Sequence, residues 1–412
     1  MNDHPAYEIQ VSPFKIPGDI GSWRTISIRN DGDTPVSRPD VQALGQLDRS
    51  DLHAIVTEAC DPDMRDAEKA HALFEFMKSN VVKWALPSLD AEQNPIKILN
   101  VHGYCNCGGF SITLAVLARA AGLKARNVHL PGHGVTEIWH DGAWHLYDSN
   151  LQVTYPKPNG ELAGVEEVQN DLTLLDGVDH DFHAPCTFNL EGVREIYAKH
   201  QVWHPELPAE DELHSMAFDL LPGETIRWFR DERARFYPHQ NEVFMVEPCG
   251  DYVAGGTLQI PGQTIRAQRE GESFSQRFQR QVPWVIVGGR MYASGFRTPQ
   301  DGQVQLLLHR EETELNVGGI LTERTDCEDS FSIVFDFTRA LTLPPPAPVL
   351  YDLDLELVLF KVRPESELRF DNVRVELDLQ RAPQTLPPTD LRDAELVYRD
   401  KSNERNVQVV VE

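Results

Sequence analysis

A chain of 412 residues exceeds what one compact core accommodates, since domains usually run to about 100–200 residues, so two or three domains are expected. With 38 Lys and Arg against 64 Asp and Glu the formal charge is −26, which speaks against nucleic acid as a partner: phosphates are held by clustered cations, and no such cluster stands out. The first residues, MNDHPAYEIQ, lack the basic start and apolar stretch of a secretory leader, no run of about 18 apolar residues occurs, and the six cysteines are scattered apart from one Cys-Asn-Cys; the expectation is a cytoplasmic chain with no membrane span and no disulfide framework.

Residues 1–45 mix short alternating stretches such as Trp23 to Ile28 with a turn signal at Asn30-Asp31-Gly32-Asp33, which reads as a β arm. From Asp48 to Trp84, Leu52, Ile55, Val56 and Ala59, then Ala70, Leu73, Phe74, Met77 and Val81, recur at three and four, the period of two amphipathic helices separated by Asp61-Pro62-Asp63. A third helix is expected from Cys107 to the glycine stop at Gly122, buried because it is apolar nearly all round. Ala125 to His129, Thr136 to His140 and Ala143 to Asp148 read as three strands, with Asp141-Gly142 as the tight turn between the last two. Pro205, Pro208 and Glu210-Asp211-Glu212 mark a boundary, beyond which Ser330 to Phe337, Leu350 to Leu359 and Leu368 to Leu379 alternate at period two, with Pro344-Pro345-Pro346 as a break. The division expected is therefore a β arm (1–45), an α+β domain (46–205), an all-β sandwich (206–385) and a C-terminal extension (386–412).

The segment from Gly103 to Asn150 holds an ordered set of nucleophile, base and orienter. A thiol at the first turn of a buried helix feels the positive end of the helix dipole, which favours thiolate. A histidine on a neighbouring strand can take the thiol proton and later return it to a leaving group. An aspartate on the next antiparallel strand can hold the imidazole in one tautomer and stabilise its protonated form.

These residues resemble the transglutaminase-like superfamily, in which a Cys at a helix start is followed by His and Asp on paired strands. Cys107-Gly108-Gly109-Phe110-Ser111 leads to Ala121-Gly122-Leu123-Lys124-Ala125-Arg126; Gly132-His133-Gly134-Val135-Thr136-Glu137-Ile138 and Trp144-His145-Leu146-Tyr147-Asp148 follow. The likeness covers roughly residues 48–155. The chain departs from the family pattern at Gly134-Val135, at Ser149 and at Gly108-Gly109. The resemblance implies a papain-like α+β core with Cys107, His133 and Asp148 as catalytic triad, with Cys107 preferred to Cys105 because it lies 15 residues before Gly122. It also implies thiol-dependent acyl transfer on a peptide, protein or other amide, with hydrolysis expected ahead of cross-linking to an amine.

No cofactor or metal is expected. His102, His129, His133, His140 and His145 crowd the segment, but His129 and His133 converge only on a helix, and Pro131-Gly132 stands between them. His140 and His145 flank the hairpin turn and are read as exposed; Glu137 is read as hydrogen-bonded or exposed, and Trp139 and Trp144 as packing residues. Residues 367–375, ELRFDNVRV, look like the closing strand of jelly-roll carbohydrate-binding modules, so a glycan is a second candidate partner. The alternative class is a catalytically inactive module whose sandwich binds a glycan or a protein.

Overall fold

The structure, a computed structural model, describes residues 6–9, 14–15, 22–46, 48–84, 93–182, 189–230, 254–266, 273–297, 302–310, 313–317, 319–323, 330–341, 349–361, 368–388, 390–391, 395–402 and 406–412. The proline break at 344–346, Glu367 and cysteines 186, 249 and 327 lie outside the described residues.

Helices α1 (Leu52–Ala59) and α2 (Asp66–Asn80) form where the apolar period is 3.6. Asp51 caps α1 by accepting from the N–H groups of His53 (2.7 Å) and Ala54 (3.1 Å), and the backbone N–H of Arg65 donates to Glu68 at 2.8 Å to start α2. Leu52, Ile55, Leu73, Phe74 and Met77 are buried in one core with α3 (Cys107–Ala120), of which residues 108 to 118 are all buried. Its apolar circumference is covered on the far side by an antiparallel four-stranded sheet of β1 (Lys124–Leu130), β2 (His133–His140), β3 (Ala143–Asp148) and β4 (Val153–Thr154), in that spatial order. The β2–β3 turn has φ of +50° at Asp141 and +84° at Gly142, the two positive values a type I′ hairpin needs. The other face of the sheet, through Val128, Leu130, Val135 and Leu146, shares a third core with Leu151, Tyr155, Val168, Val193 and Tyr197. Residues 151–182 and 189–198, whose local pattern is ambiguous, are thus the outer layer of a helix–sheet–helix sandwich.

Among the described residues, Phe14–Lys15, Leu396–Arg399 and Asp40–Ala43 form a small three-stranded sheet and two further pairs of two-residue strands stand apart, while the other remaining strands build two antiparallel sheets. One has nine strands in the order Ala6–Ile9, Val407–Val411, Thr25–Asn30, Thr225–Phe229, Ala254–Arg266, Leu368–Arg381, Val285–Arg297, Ser330–Asp336 and Gly319–Glu323. The other has four: Ser273–Gln281, Asp352–Lys361, Gly302–Arg310 and Thr313–Val317. Their inward positions, among them Leu258, Met291, Phe370 and Val375 on the first and Leu306, Leu308, Leu355 and Leu357 on the second, belong to one hydrophobic core. Strand Thr25–Asn30 lies between Thr225–Phe229 and Val407–Val411, pairing Ile28 with both Ile226 and Val409. The helical domain is therefore inserted between two strands that are neighbours in the nine-stranded sheet. It is tied back by Ala382 N–H to the Asn100 carbonyl (3.0 Å) and by His214 Nε2 to the Pro283 carbonyl (2.8 Å). No helix of the described residues is long and apolar enough to cross a membrane.

Candidate active site

Cys107 is the first residue of α3 and is partly buried. The intervening residue of Cys-Asn-Cys is the helix cap: Asn106 accepts from the Gly109 N–H at 3.0 Å, and its carbonyl accepts from Phe110. The N–H groups of Cys107 and Gly108 carry no hydrogen bond among the described residues, so the two donors nearest the thiol stay open at the positive end of the helix. Cys105 is fully buried beneath this first turn, and burial raises its thiol pKa well above the ordinary value. The close fit explains one of the glycines: a methyl at Gly109 would stand 2.5 Å from Cys105 Cβ and 3.1 Å from its sulfur.

His133 opens β2 and Asp148 closes β3, and both side chains are withdrawn from solvent. His133 Nε2 and Asp148 Oδ2 are 2.7 Å apart, while Asp148 Oδ1 accepts from the Leu151 N–H at 2.9 Å, which fixes the carboxylate at both oxygens. With Nε2 committed, Nδ1 is the nitrogen left to serve the thiol. Gly134 brings the strand there: a Cβ on it would stand 3.2 Å from the Cys107 carbonyl, so a residue without a side chain lets β2 close on the helix start. The sheet is locked to the helix one turn further on, where Thr136 Oγ1 donates to the Ser111 carbonyl (2.9 Å) and Ser111 Oγ is held between Asn127 and the Val135 carbonyl.

The electrostatics follow from this placement. Burial alone would raise the Cys107 pKa, but the hydrogen bond and charge of His133, with the Gly134 N–H, outweigh it and the thiol is lowered below its ordinary value. Burial would likewise lower His133, but the adjacent Asp148 carboxylate and the thiol raise it to about 10. Both shifts favour a thiolate–imidazolium pair.

The structure also places residues that pattern reading did not single out. Gln93 lays its side-chain amide over the helix start, its Nε2 2.6 Å from where a Cβ on Gly108 would be. Trp84, whose backbone N–H donates to the Cys105 carbonyl at 2.9 Å, has a buried indole N–H with no acceptor among the described residues. Behind Asp148 stand Tyr155, Tyr197 and His180, near enough for its charge to act on them, with Tyr155 OH 3.2 Å from His180 Nε2. None of these has a periodicity or motif of its own; only packing brings them to the triad.

The other histidines separate. His140 and His145 are not exposed as the hairpin suggested: both are buried and their rings stack at 3.9 Å. The polar cost is met because His140 Nε2 reaches Tyr147 OH (2.9 Å), and His145 reaches the carbonyls of Leu162 (2.8 Å) and His140 (3.1 Å). His129 sits edge-on to Trp203, and His102 neighbours Tyr104 and Gln380. Glu137 is buried, accepting from Arg126 Nε at 2.8 Å and from the Val165 N–H at 2.8 Å, and Trp139 packs edge-to-face on Trp144 at 5.4 Å. Among the described residues no group of three or more His, Cys, Asp or Glu is placed to hold a metal ion.

Comparison with known proteins agrees with the first part of this geometry. A search of curated proteins gives no match. Among solved structures, that of infectious bursal disease virus Gx strain is 11% identical over 54% of this chain and 56% of that chain, with a TM-score of 0.23. The VP2 subviral particle of infectious bursal disease virus is 12% identical over 70% of this chain and 78% of that one, with a TM-score of 0.24. This chain thus spans little more than half of the first structure. The family model of the transglutaminase-like superfamily matches residues 53–149, the interval that runs from α1 through Cys107 and His133 to the residue after Asp148, and the chain accordingly carries a transglutaminase-like domain there.

Proposed function

We propose that this domain, with a papain-like core, performs thiol acyl transfer on an amide substrate, with Cys107 as nucleophile, His133 as proton carrier and Asp148 as its orienter. The observation that carries the reading is the placement itself: Cys107 at the start of α3, Gly134 of the His133 strand closed against its backbone, and the Asp148 carboxylate 2.7 Å behind His133. The thiolate forms a C–S bond with the carbonyl carbon, the carbonyl π pair moves to oxygen, and the resulting oxyanion meets the open N–H groups at the α3 start and the Gln93 amide. Collapse expels the amine, which takes the proton from His133 and leaves a thioester. Neutral His133 then takes a proton from water, the hydroxide attacks the thioester, and the acid leaves as Cys107 is restored. Water serves as second acceptor in this reading because it needs no site of its own, which makes the domain a peptidase or amidase; the jelly-roll-like sandwich is its scaffold.

The test is alkylation by iodoacetamide from about pH 4 to pH 10 in wild type and His133→Ala, read by peptide mass spectrometry with Cys60, whose pKa burial raises, as internal reference. Fast Cys107 labelling with a thiol pKa well below about 8.5, lost in His133→Ala, is expected. Ordinary thiol behaviour in both proteins would mean an inactive module and move attention to what the sandwich binds.

A further inference from the structure

We infer that the junction between the β-sandwich and the helical domain holds a binding site for a small organic acid with an aromatic or apolar body. A cavity of about 260 Å³ opens where four parts of the chain meet: the segment after strand Thr25–Asn30, the helical domain at Ser50 and Asn100, the sandwich at Phe218, Trp284 and Arg381, and the C-terminal segment at Arg399 and Lys401. It is separate from Cys107, which does not line it.

Its walls are of two kinds. One is apolar, formed by Met216, Phe218 and the Trp284 ring, which is fixed by edge-on contacts to Phe218 (5.1 Å) and Trp228 (4.7 Å). The other is cationic, which is unexpected in a chain of net charge −26: Arg38, Arg381, Arg399 and Lys401 stand against Asp40, Asp48 and Asp400. Arg381 is consumed, being paired with Asp40 at 3.2 Å and bonded to Thr385 at 2.8 Å. The other two carboxylates accept from backbone, Asp48 from the Ser50 N–H (3.0 Å) and Asp400 from the Ser402 N–H (2.8 Å). Arg38, Arg399 and Lys401 are in no ion pair among the described residues.

Arg38 is held at the rim in the left-handed region, φ +51°, by its N–H donating to the Phe218 carbonyl at 2.7 Å; a non-glycine residue keeps that conformation only where its surroundings impose it. The wall also keeps unused hydrogen-bonding capacity. Gln42 Oε1, Ser50 Oγ and Trp284 Nε1 are buried and without partners among the described residues, although Gln42 and Trp284 are each 93% buried. Buried groups of this kind are almost always paired, so three around one cavity indicate a ligand surface more than a packing surface. Charge selects an anion, the rings select a flat apolar body, and Gln42 selects a donor on the ligand such as a hydroxyl.

Equilibrium dialysis of the full chain with 4-hydroxybenzoate, up to about 10 mM, tests this against two controls: 4-hydroxybenzamide, which keeps the ring and loses the charge, and inorganic phosphate, which keeps charge and loses the ring. Saturable binding of the acid is expected, at least about tenfold tighter than either control, and about tenfold weaker in Arg399→Gln/Lys401→Gln, a surface pair whose removal leaves the core intact. Trp284→Phe removes the indole N–H together with part of the ring and should weaken binding, with the circular dichroism showing that the fold is kept. Cys107→Ala should bind as wild type, which distinguishes this site from the thiol chemistry. No binding, equal binding of acid and amide, binding of phosphate as strong as the acid, or full affinity in the double variant would each overturn the assignment.

Discussion

Asp148→Asn isolates the electrostatic part of the proposed triad. Asn keeps one oxygen, which can still accept from the Leu151 N–H, and places its NH2 opposite His133 Nε2, so the β3 turn should persist while the charge is lost. In the native protein His133 stands at about 10 instead of 6.5 in spite of burial, and the carboxylate is the largest cause raising it. Without that charge, burial and the remaining thiol compete, and His133 should fall by at least about two pH units, roughly a hundredfold in proton affinity and about 3 kcal/mol. The assay is Cys107 labelling by iodoacetate, an anion that the imidazolium attracts. In wild type the rate should rise as pH passes the lowered Cys107 pKa and decline again only as pH approaches 10. In Asp148→Asn the decline should begin near neutrality, and the lower limb should move up because the thiolate has lost its cation, leaving a narrower and lower profile. An upper limb within about half a unit of wild type, in a protein whose near-ultraviolet dichroism is unchanged, would refute the claim that Asp148 sets the protonation of His133.

Three further outcomes follow from the packing. Gly109→Ala should destabilise the domain by about 1–2 kcal/mol in urea, because the added methyl meets Cys105 Cβ at 2.5 Å and overpacking outweighs alanine's advantage in a helix; Cys105→Gly in the same chain should recover most of the loss. Glu137→Ala should cost about 2–3 kcal/mol by stranding the Val165 N–H and part of the Arg126 guanidinium, with the same readout, and Glu137→Gln distinctly less. His140 is lowered, first by burial and then by neighbouring His145, against the opposing pull of Asp141. Its folded pKa lies below the unfolded value, so it contributes stability above about pH 6.5 that is lost as pH falls through the folded pKa; the drop in Tm between about pH 7.5 and pH 5.5 should be smaller in His140→Gln.

Much of the site is legible in the sequence because its signals are local. An apolar run after Cys-Asn-Cys can only be a buried helix, which puts a thiol at a helix start; Asp141-Gly142 enforces a two-residue hairpin, which fixes the register that carries His133 and Asp148 on adjacent strands. The burial of His140 and His145 was not legible, because it depends on the Tyr147 hydroxyl and two carbonyls that supply partners from elsewhere in the fold. Gln93 and Trp84 were missed for the same reason: each is an ordinary residue by composition, and its position over α3 or beside Cys105 is set by contacts without a period.

Residue pattern by itself determined helices α1 to α3 and strands β1 to β3, since helix period, caps, turn residues and apolar runs act over a few residues along the chain; the short turns of residues 95–102 and the Val82–Lys83 and Tyr104–Cys105 pair were not legible. Tertiary structure alone decided which strands of the nine-stranded sheet are neighbours. The pairing of Ile28 with Ile226 and Val409 joins residues about two hundred and nearly four hundred positions apart, and alternation states only that each strand has one buried face, not which partner covers its edge. The junction cavity belongs to that second class, because its cations and rings, Arg38, Phe218, Trp284, Arg381, Arg399 and Lys401, come from segments far apart along the chain that only the folded sheet brings together.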